Sequence, residues 1–169
     1  MSSCAITAAF IVVSDRIFTS QRPNKASALL HTLVNSPAAS YPMDVVMDEV
    51  IPEGYTSVVN ALTRAIESGA HVIITVGGTG IRTKNQTPEA SAEFIQTRFE
   101  GLEQQIVVRG SQNTPLAGLS RGLVGVTSRD EQAALIINAP SSQGGIKDTW
   151  SVIGPVIPNI FEGLRATED

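Results

Sequence analysis

The chain has 169 residues, of which 42% are hydrophobic and 17% charged, and its formal net charge is −4. This composition excludes a disordered or fibrous protein, and the negative charge disfavours a dedicated nucleic-acid binder. One cysteine and two histidines exclude an internal disulfide and the usual zinc or iron sites. We therefore expect one domain over residues 1–169, located in the cytoplasm, in which any metal is a hard cation bound by oxygen atoms.

The first half of the chain alternates strand and helix patterns. Cys4–Val13 follows no basic region and is too short to span a membrane, so we predict a first strand over Ala5–Val13. Leucines at helical spacing predict a helix over Ala26–Val34. A second strand is predicted over Tyr41–Ile51, and a helix over Tyr55–Ser68 is closed by the glycine that follows it.

The continuous apolar run His71–Val76 predicts a third strand that is buried on both faces. We interpret His71 as a structural residue of this strand. A long helix is predicted to begin at Pro88, with Thr87 as its N-cap and three aromatic or aliphatic side chains facing inward, namely Phe94, Ile95 and Phe99.

The remaining elements continue the alternation, over Gly101–Gly110 (helix), Gly118–Val126 and Ala133–Asn138 (paired strands), and Ile146–Ile153 and Val156–Arg165 (helices). Strands that alternate with helices predict a mostly parallel sheet joined by right-handed crossovers and covered on both faces. The expected fold is thus a three-layer α/β sandwich of the flavodoxin-like kind.

A glycine-rich loop, Gly77–Gly80, follows the third predicted strand. In open parallel sheets, ligands bind outside the carboxyl ends of the strands, and glycines let backbone N–H groups approach them closely. A helix start at Thr87 would direct further N–H groups to the same crevice, where Arg82 and Lys84 add positive charge. These features predict a phosphate site, although a tight turn that only avoids clashes is an alternative. The spacing matches neither the P-loop nor the dinucleotide fingerprint.

Several short motifs occur in a fixed order along almost the whole chain: Val13-Ser-Asp-Arg16, Gly77-Gly-Thr-Gly80 followed by Thr87-Pro-Glu-Ala90, Leu119-Ser-Arg-Gly122, Leu135-Ile-Ile-Asn-Ala-Pro140 and Pro155-Val-Ile-Pro158. Together they resemble the MoaB/Mog family, the molybdopterin-binding proteins of molybdenum cofactor biosynthesis. The pairing of G-G-T-G with T-P-[DE]-A is the most specific part of this resemblance.

The resemblance implies a homotrimer that binds molybdopterin and ATP, with a molybdenum-insertion protein as a possible partner and no nucleic acid or membrane. Active family members use Mg²⁺ and ATP to adenylylate the terminal phosphate of molybdopterin, and they release pyrophosphate. Carried over by motif, the molybdopterin and phosphate contacts fall on Asp15, Gly77, Gly78, Thr79, Gly80, Arg82, Lys84, Thr87, Ser120, Arg121, Asn138, Pro140, Ser141 and Ser142.

The sequence departs from the family pattern around the same crevice. Family members usually have an Arg-Asp-Val-Thr-Pro segment with an essential aspartate, whereas this chain has Asn85 at that position. The family's second functional acid falls on Glu53, which we predict to be catalytic together with Asn85 and to be the protein ligand of Mg²⁺. Asn24 replaces a further acid, and Pro140-Ser-Ser-Gln143 replaces a Pro-Gly-Ser-Pro-like turn.

Structural interpretations of the same residues stay open. Asp15 could simply end a strand, Glu53 could favour a helix start, and Arg82 and Lys84 could be solvated loop charges. At the level of function, the enzyme is the first hypothesis. A molybdopterin-binding protein without catalysis is the second, because Asn85 supplies no charge to a metal site. A flavodoxin-like nucleotide binder outside this pathway is the third.

Overall fold

The computed structural model describes residues 5–36 and 41–166. Its strands form a single sheet: β1 (Ile6–Val13), β2 (Met43–Ile51), β3 (Val72–Val76), β4 (Thr97–Arg98), β5 (Val124–Val126) and β6 (Leu135–Ala139). Their spatial order is β2-β1-β3-β6-β5-β4. The strands β2, β1, β3 and β6 are parallel, while β5 runs antiparallel to both of its neighbours. The mostly parallel sheet predicted from the sequence is confirmed, with a short antiparallel end.

Helices cover both faces of this sheet: α1 (Asp15–Phe18), α2 (Lys25–Val34), α3 (Tyr55–Glu67), α4 (Thr87–Ala92), α5 (Glu100–Ser111), α6 (Gln143–Ile153) and α7 (Ile157–Arg165). Two 3₁₀ turns, Pro115–Leu119 and Gly154–Val156, complete the described elements. The helices α3 and α4 pack on one face, and α2, α5, α6 and α7 pack on the other. The three-layer α/β sandwich is therefore confirmed.

Strand β1 shows why the central strands read as continuous apolar runs. Its alternate side chains face opposite helical layers, so that Phe10 and Val12 join one core and Ile11 and Val13 the other. All four are at most 3% exposed. A strand in the middle of a parallel sheet has no solvent face, and most of its positions are therefore apolar.

The long helix predicted from Pro88 onwards is wrong. Helix α4 ends at Ala92, because the backbone beyond it is drawn into the sheet. The N–H groups of Gln96 and Phe99 bind the carbonyls of Val126 and Val124 on β5, which creates the short strand β4. Phe94 and Ile95 do pack inward, but on one face of the sheet, whereas Phe99 packs on the other.

Other predicted elements agree with the structure to within a few residues, apart from the strand expected over Gly118–Val126, whose first half is a 3₁₀ turn. Helix α3 ends before Gly69, which has a φ of +82° as a closing glycine requires. Cys4 lies outside the described residues. Within residues 5–36 and 41–166, none of the helices combines the length and the apolar character that a membrane crossing requires.

Candidate functional site

The parallel strands end at one edge of the sheet, and each delivers a polar segment there. Asp15 follows β1, Glu53 follows β2, Gly77 follows β3, and Ser141 follows β6. This edge is where open α/β sheets bind ligands, because the chain crosses to opposite faces on either side of it. The fold thus brings together four segments that are far apart in sequence.

The loop after β3 is a tight turn that requires glycine. Gly77 and Gly78 have φ angles of +99° and +69°. A Cβ atom on Gly77 would collide with the carbonyl oxygen of Val13, and one on Gly78 would collide with the hydroxyl of Thr87. The turn is closed by Thr87, whose hydroxyl donates to Gly77 O at 3.0 Å and whose N–H donates to Gly78 O at 3.1 Å.

Thr87 does not act as the predicted N-cap. It is the first residue of α4, and Gln86 occupies the cap position without a side-chain hydrogen bond. The N–H of Thr87 already binds the carbonyl of Gly78 in the glycine turn. Pro88 has no N–H, and the N–H of Ala90 binds Gln86 O. Because α4 has only six residues and one unbonded N–H near its start, that of Glu89, it offers little of the phosphate cradle expected there.

A hydrogen-bonded network joins the residues that follow β1 and β2 to the loop before α4. The backbone N–H of Glu53 donates to Asp15 Oδ1 at 2.9 Å. Asn85 Nδ2 donates to Glu53 Oε1 at 3.1 Å, and Asn85 Oδ1 accepts the N–H of Arg82 at 3.1 Å. The ammonium of Lys84 pairs with Asp15 Oδ2 at 3.2 Å. The predicted catalytic pair, Glu53 and Asn85, is therefore in direct contact.

Asp15 is held in its ionised form. The hydrogen bond from the Glu53 backbone, and then the one from the Lys84 side chain, lower the pKa of the Asp15 carboxyl below its ordinary value of 3.8. Each carboxylate oxygen accepts one of these two donors. Asp15 consequently positions Glu53 and Lys84 against each other.

Glu53 is the group in this network that could reach a cation. Its Oε1 accepts the Asn85 amide, and its carboxyl group also neighbours that of Asp15. No cluster of three or more carboxylate, histidine or cysteine side chains occurs in residues 5–36 and 41–166. Mg²⁺ commonly binds through one or two carboxylates plus substrate phosphates, so these residues fit a cation that arrives with a nucleotide.

Arg121 holds the glycine loop from the outside. Its guanidinium donates to Gly80 O and Asn85 O and pairs with the Glu89 carboxylate at 2.7 Å. Glu89 raises the pKa of Arg121 further. All five N–H donors of the side chain are used in these contacts. Arg121 therefore positions the loop, and its expected contact with molybdopterin stays a prediction.

Two other residues from the predicted set face inward. Asn138 is 3% exposed, and its amide donates to the hydroxyls of Thr75 and Ser91 while its Oδ1 accepts the N–H of Leu123. With its side chain fully bonded, Asn138 braces β6 and leaves no side-chain group for a ligand. Thr79 is buried and contacts the hydroxyl of Ser120 at 3.4 Å.

A cavity of about 540 Å³ opens between α5, the turn Pro115–Leu119 and the start of α6. Predicted site residues line one end of it: Ser120, Asn138, Pro140, Ser141 and Ser142. Helix α6 begins here with Ser142 as its N-cap, which accepts the N–H of Gly145 at 2.9 Å. The first N–H groups of an eleven-residue helix have no partner within the helix and suit an anion.

A second pocket of about 360 Å³ shares Ser141 and Ser142 with this cavity. It also contains Ser14, next to Asp15, and two basic residues, Arg22 and Lys25. These two were not predicted as site residues. Their only sequence signal was their position between the first strand and the first long helix, where a basic residue can equally be a solvated surface charge.

Arg82 and Lys84 differ in the charge they leave available. Lys84 is paired with Asp15, whereas Arg82 is exposed and forms no ion pair within the described part of the chain. A phosphate at this edge would thus meet the unpaired guanidinium of Arg82 and, from the second pocket, Arg22 and Lys25.

Residues 9–159 match the probable molybdopterin binding domain family. The chain belongs to this family. Among solved structures, a protein of Corynebacterium diphtheriae assigned to molybdenum cofactor biosynthesis is 59% identical, with a TM-score of 0.87 over 96% of this chain and 99% of that one. The molybdopterin biosynthesis enzyme MoaB of Thermus thermophilus is 28% identical, with a TM-score of 0.81 over 94% of this chain and 96% of that one.

Among curated proteins, the molybdopterin adenylyltransferase of Pyrococcus furiosus is 24% identical over 155 residues, which cover 92% of this chain and 89% of that protein. Other relatives are much longer. The chain spans 25% of the Drosophila melanogaster protein cinnamon and 49% of a bifunctional protein from Synechococcus elongatus. The membership in the MoaB/Mog family that the motifs indicated is confirmed by these matches.

Proposed function

We propose that this protein acts in molybdenum cofactor biosynthesis by binding molybdopterin and transferring the adenylyl group of ATP to its terminal phosphate. The family match and the similarity to a molybdopterin adenylyltransferase support the substrates. The observation that carries the proposal is the contact network of Asp15, Glu53, Lys84 and Asn85 beside the glycine turn. No purely structural role requires these groups to converge at a ligand-binding edge of the sheet.

We assign each substrate to one of the two pockets. The larger cavity, with its apolar walls, suits the ring system of molybdopterin, and its phosphate would reach Ser141, Ser142 and the start of α6. The smaller pocket offers Arg22 and Lys25 to the phosphates of ATP. Because both pockets share Ser141 and Ser142, the two anions would meet at these serines.

In the reaction, an oxygen of the molybdopterin phosphate attacks the α-phosphorus of ATP. A phosphorus–oxygen bond forms there, the bond to the β-phosphate oxygen breaks, and pyrophosphate leaves. The nucleophile is already an anion, so the protein must mainly bring two anions together and balance their charge. Arg22, Lys25 and Arg82 supply positive charge, and the N–H groups at the start of α6 supply hydrogen bonds.

A magnesium ion bound to the ATP phosphates would neutralise negative charge as it develops in the transition state. Glu53 would hold it through its carboxylate. Asp15 would orient the Glu53 backbone and keep Lys84 at the edge of the site.

A second candidate function is molybdopterin binding without catalysis. The observation that favours it is the direction of the hydrogen bond between Asn85 and Glu53, in which the amide N–H occupies a position next to the carboxylate. A cation cannot take the place of a donor hydrogen. The third hypothesis, a nucleotide binder outside this pathway, is disfavoured by the family match over residues 9–159.

Pyrophosphate release from ATP, measured in the presence of Mg²⁺ and molybdopterin, decides between adenylyl transfer and binding without catalysis. We expect the protein to turn over, and the Asn85→Asp variant to turn over faster. If only the variant releases pyrophosphate, the binding function is correct and the natural protein is not an adenylyltransferase. Release by neither, with molybdopterin binding intact, would also rule out the enzyme.

The trimer, the cytoplasmic location and a molybdenum-insertion partner stay predictions. A trimer of this 17.9 kDa chain would have a solution mass near three times that value, which analytical ultracentrifugation measures directly. A monomeric mass would contradict the trimer without affecting the proposed reaction, because both pockets are formed within one chain.

A further inference from the structure

The side-chain amide of Asn85 has one fixed orientation. Its Oδ1 accepts the backbone N–H of Arg82 at 3.1 Å, and its Nδ2 donates to Glu53 Oε1 at 3.1 Å. A backbone N–H only donates and a carboxylate only accepts, so both partners require the same orientation of the amide. Turning the amide over would place two donors together at one end and two acceptors together at the other. The amide oxygen of Asn85 therefore does not face a metal ion beside Glu53.

The surrounding loop holds this side chain in place. Asn85 is only 9% exposed. A Cβ atom on Gly80 would lie 2.8 Å from Asn85 Oδ1, so the missing side chain at Gly80 makes room for the amide. The backbone of Asn85 is bound as well, since its N–H donates to Arg82 O and its carbonyl accepts a hydrogen bond from Arg121. The amide keeps its orientation when a ligand arrives, because turning it would break two hydrogen bonds.

The amide nitrogen has a second hydrogen to donate. An amide nitrogen carries two hydrogens, and among the described residues Glu53 accepts one of them. Glu53 is half-buried and the neighbouring Lys84 is exposed, so the nitrogen lies close to solvent at the edge of the sheet. An acceptor that comes from outside the chain can take the second hydrogen. A phosphate oxygen is such an acceptor, whereas a metal ion is not.

The charges around Asn85 balance without a metal ion. The charged residues of this network are two acids, Asp15 and Glu53, and two bases, Arg82 and Lys84. Lys84 is paired with Asp15 at 3.2 Å, which leaves Glu53 as the carboxylate without a cationic partner. A divalent cation held by protein alone needs several oxygen ligands. An N–H donor beside the free charge of Arg82 suits a phosphate instead, because charged acceptors form the stronger hydrogen bonds.

We propose that Asn85 donates a hydrogen bond to a phosphate oxygen of ATP, so that the protein binds the nucleotide without a divalent cation. Ser14, which lines the smaller pocket, directly precedes Asp15 of the network, so the phosphate pocket and the network adjoin. The inference rests on the proposed binding of ATP at this edge of the sheet. It adds that Mg²⁺ enters only together with the nucleotide, and that it serves the reaction rather than the affinity for ATP.

The test is isothermal titration calorimetry with ATP, first in EDTA and then in millimolar Mg²⁺. We expect the natural protein to bind ATP in EDTA, and Mg²⁺ to tighten this binding by no more than about three-fold. Asn85→Asp keeps the side-chain shape but replaces the donor with a charged acceptor. Its affinity for ATP in EDTA should be at least about ten-fold weaker, a difference of about 1.4 kcal/mol. Mg²⁺ should restore most of this loss, because it can bridge the new carboxylate and the phosphates.

Asn85→Ala is the matched control, because it removes the donor without adding a charge. It should weaken ATP binding by the same factor in EDTA and in Mg²⁺. Circular dichroism at the temperature of the titration shows whether each variant is folded. ATP binding by the natural protein that requires Mg²⁺, an unchanged affinity for ATP in Asn85→Ala, or no binding of ATP under either condition would overturn the inference.

The outcome also separates this inference from the proposed reaction. ATP binding that depends on Asn85 and needs no Mg²⁺, without pyrophosphate release when Mg²⁺ and molybdopterin are added, would support the phosphate contact and reject adenylyl transfer. Pyrophosphate release by a protein that binds ATP only in Mg²⁺ would support the reaction and reject the phosphate contact.

Discussion

The side-chain amide of Asn85 donates a 3.1 Å hydrogen bond to the carboxylate of Glu53, while its oxygen accepts the N–H of Arg82. These two bonds fix which end of the amide faces Glu53. An aspartate at this position, as the family pattern has, would place a second carboxylate against the first. Two carboxylates at these positions would repel each other, and a bound cation could relieve that repulsion. With Asn85, a hydrogen bond takes the place of the repulsion, and this hydrogen bond needs no cation.

The first prediction concerns the metal dependence of stability. In Asn85→Asp, two carboxylates would replace the hydrogen-bonded pair, and we expect a loss of about 1–3 kcal/mol without metal. This corresponds to a melting temperature lower by roughly 2–4 °C per kcal/mol for a chain of this length. Millimolar Mg²⁺ should restore most of the loss in the variant and leave the natural protein unchanged. Differential scanning fluorimetry in EDTA and in Mg²⁺ measures both effects.

Asn85→Ala is the control for this prediction. It removes the same hydrogen bond without adding a charge, so it should lose stability in EDTA and recover nothing in Mg²⁺. An equal response of both variants to Mg²⁺ would mean that the metal acts elsewhere on the protein.

The sequence predicted which strand ends meet, because that follows from the parallel order of the strands. Asp15, Glu53 and the glycine loop were placed at the same edge for this reason, and the structure brings them together. The length of α4 was not predictable from local pattern. The helix ends early because the residues after it form hydrogen bonds with β5, a strand almost thirty residues further along the chain.

The roles of side chains within the site were harder to predict than their locations. Arg121 looked like an anion contact, but its donors bind two carbonyl groups and Glu89, which the fold brings to it from more than thirty residues away in sequence. Asn138 also looked like a ligand contact, but its side chain is bonded to Thr75, Ser91 and the N–H of Leu123.

The second prediction concerns the glycine turn. Gly78→Ala should destabilise the protein more than Gly69→Ala, although both glycines have positive φ angles. An alanine at either site has a backbone strain of about 1–2 kcal/mol. At Gly69 the new Cβ meets nothing within 4 Å, whereas at Gly78 it collides with Thr87 and adds about 1–3 kcal/mol. Chemical denaturation of both variants gives the difference, and equal losses would show that the turn relaxes around the methyl group.

The third prediction tests Arg121 as the residue that holds the loop. Lysine keeps the charge but cannot reach Gly80 O, Asn85 O and Glu89 together, so Arg121→Lys should loosen the loop without unfolding the protein. Hydrogen exchange of the amides of Arg82, Asn85 and Thr87 should become at least about ten-fold faster, because each is protected by a bond within this loop.

Arg64→Lys is the matched control for Arg121→Lys. Arg64 also pairs with a glutamate, Glu49, at 2.7 Å, and its side chain is 47% exposed against 40% for Arg121. Arg64→Lys should leave hydrogen exchange in the glycine loop unchanged. If the two variants have the same effect on the loop, the contacts of Arg121 do not restrain it.

The last prediction concerns pH. His71 Nδ1 accepts the N–H of Thr7 at 3.0 Å, and its ring stacks edge-on against Phe161. Burial, and to a lesser extent the nearby charge of Arg165, lower the pKa of His71 below its ordinary value of 6.5. The unfolded chain therefore binds a proton at this residue before the folded protein does. The uncharged His71 ring therefore contributes stability at neutral pH, and this contribution is lost as the pH falls below about 6.5. The free energy of unfolding falls by at most about 1.4 kcal/mol per pH unit for this one group.

His71→Asn isolates this effect, since the asparagine oxygen can accept the Thr7 N–H without titrating. The free energy of unfolding, measured by urea denaturation between pH 5 and pH 8, should fall more steeply towards acid pH in the natural protein than in the variant. Groups that are the same in both proteins cancel in this difference. A difference that does not change with pH would show that His71 titrates alike in the folded and unfolded states. A difference of the opposite sign would mean that the folded protein favours the charged ring, and that a group other than Thr7 satisfies it.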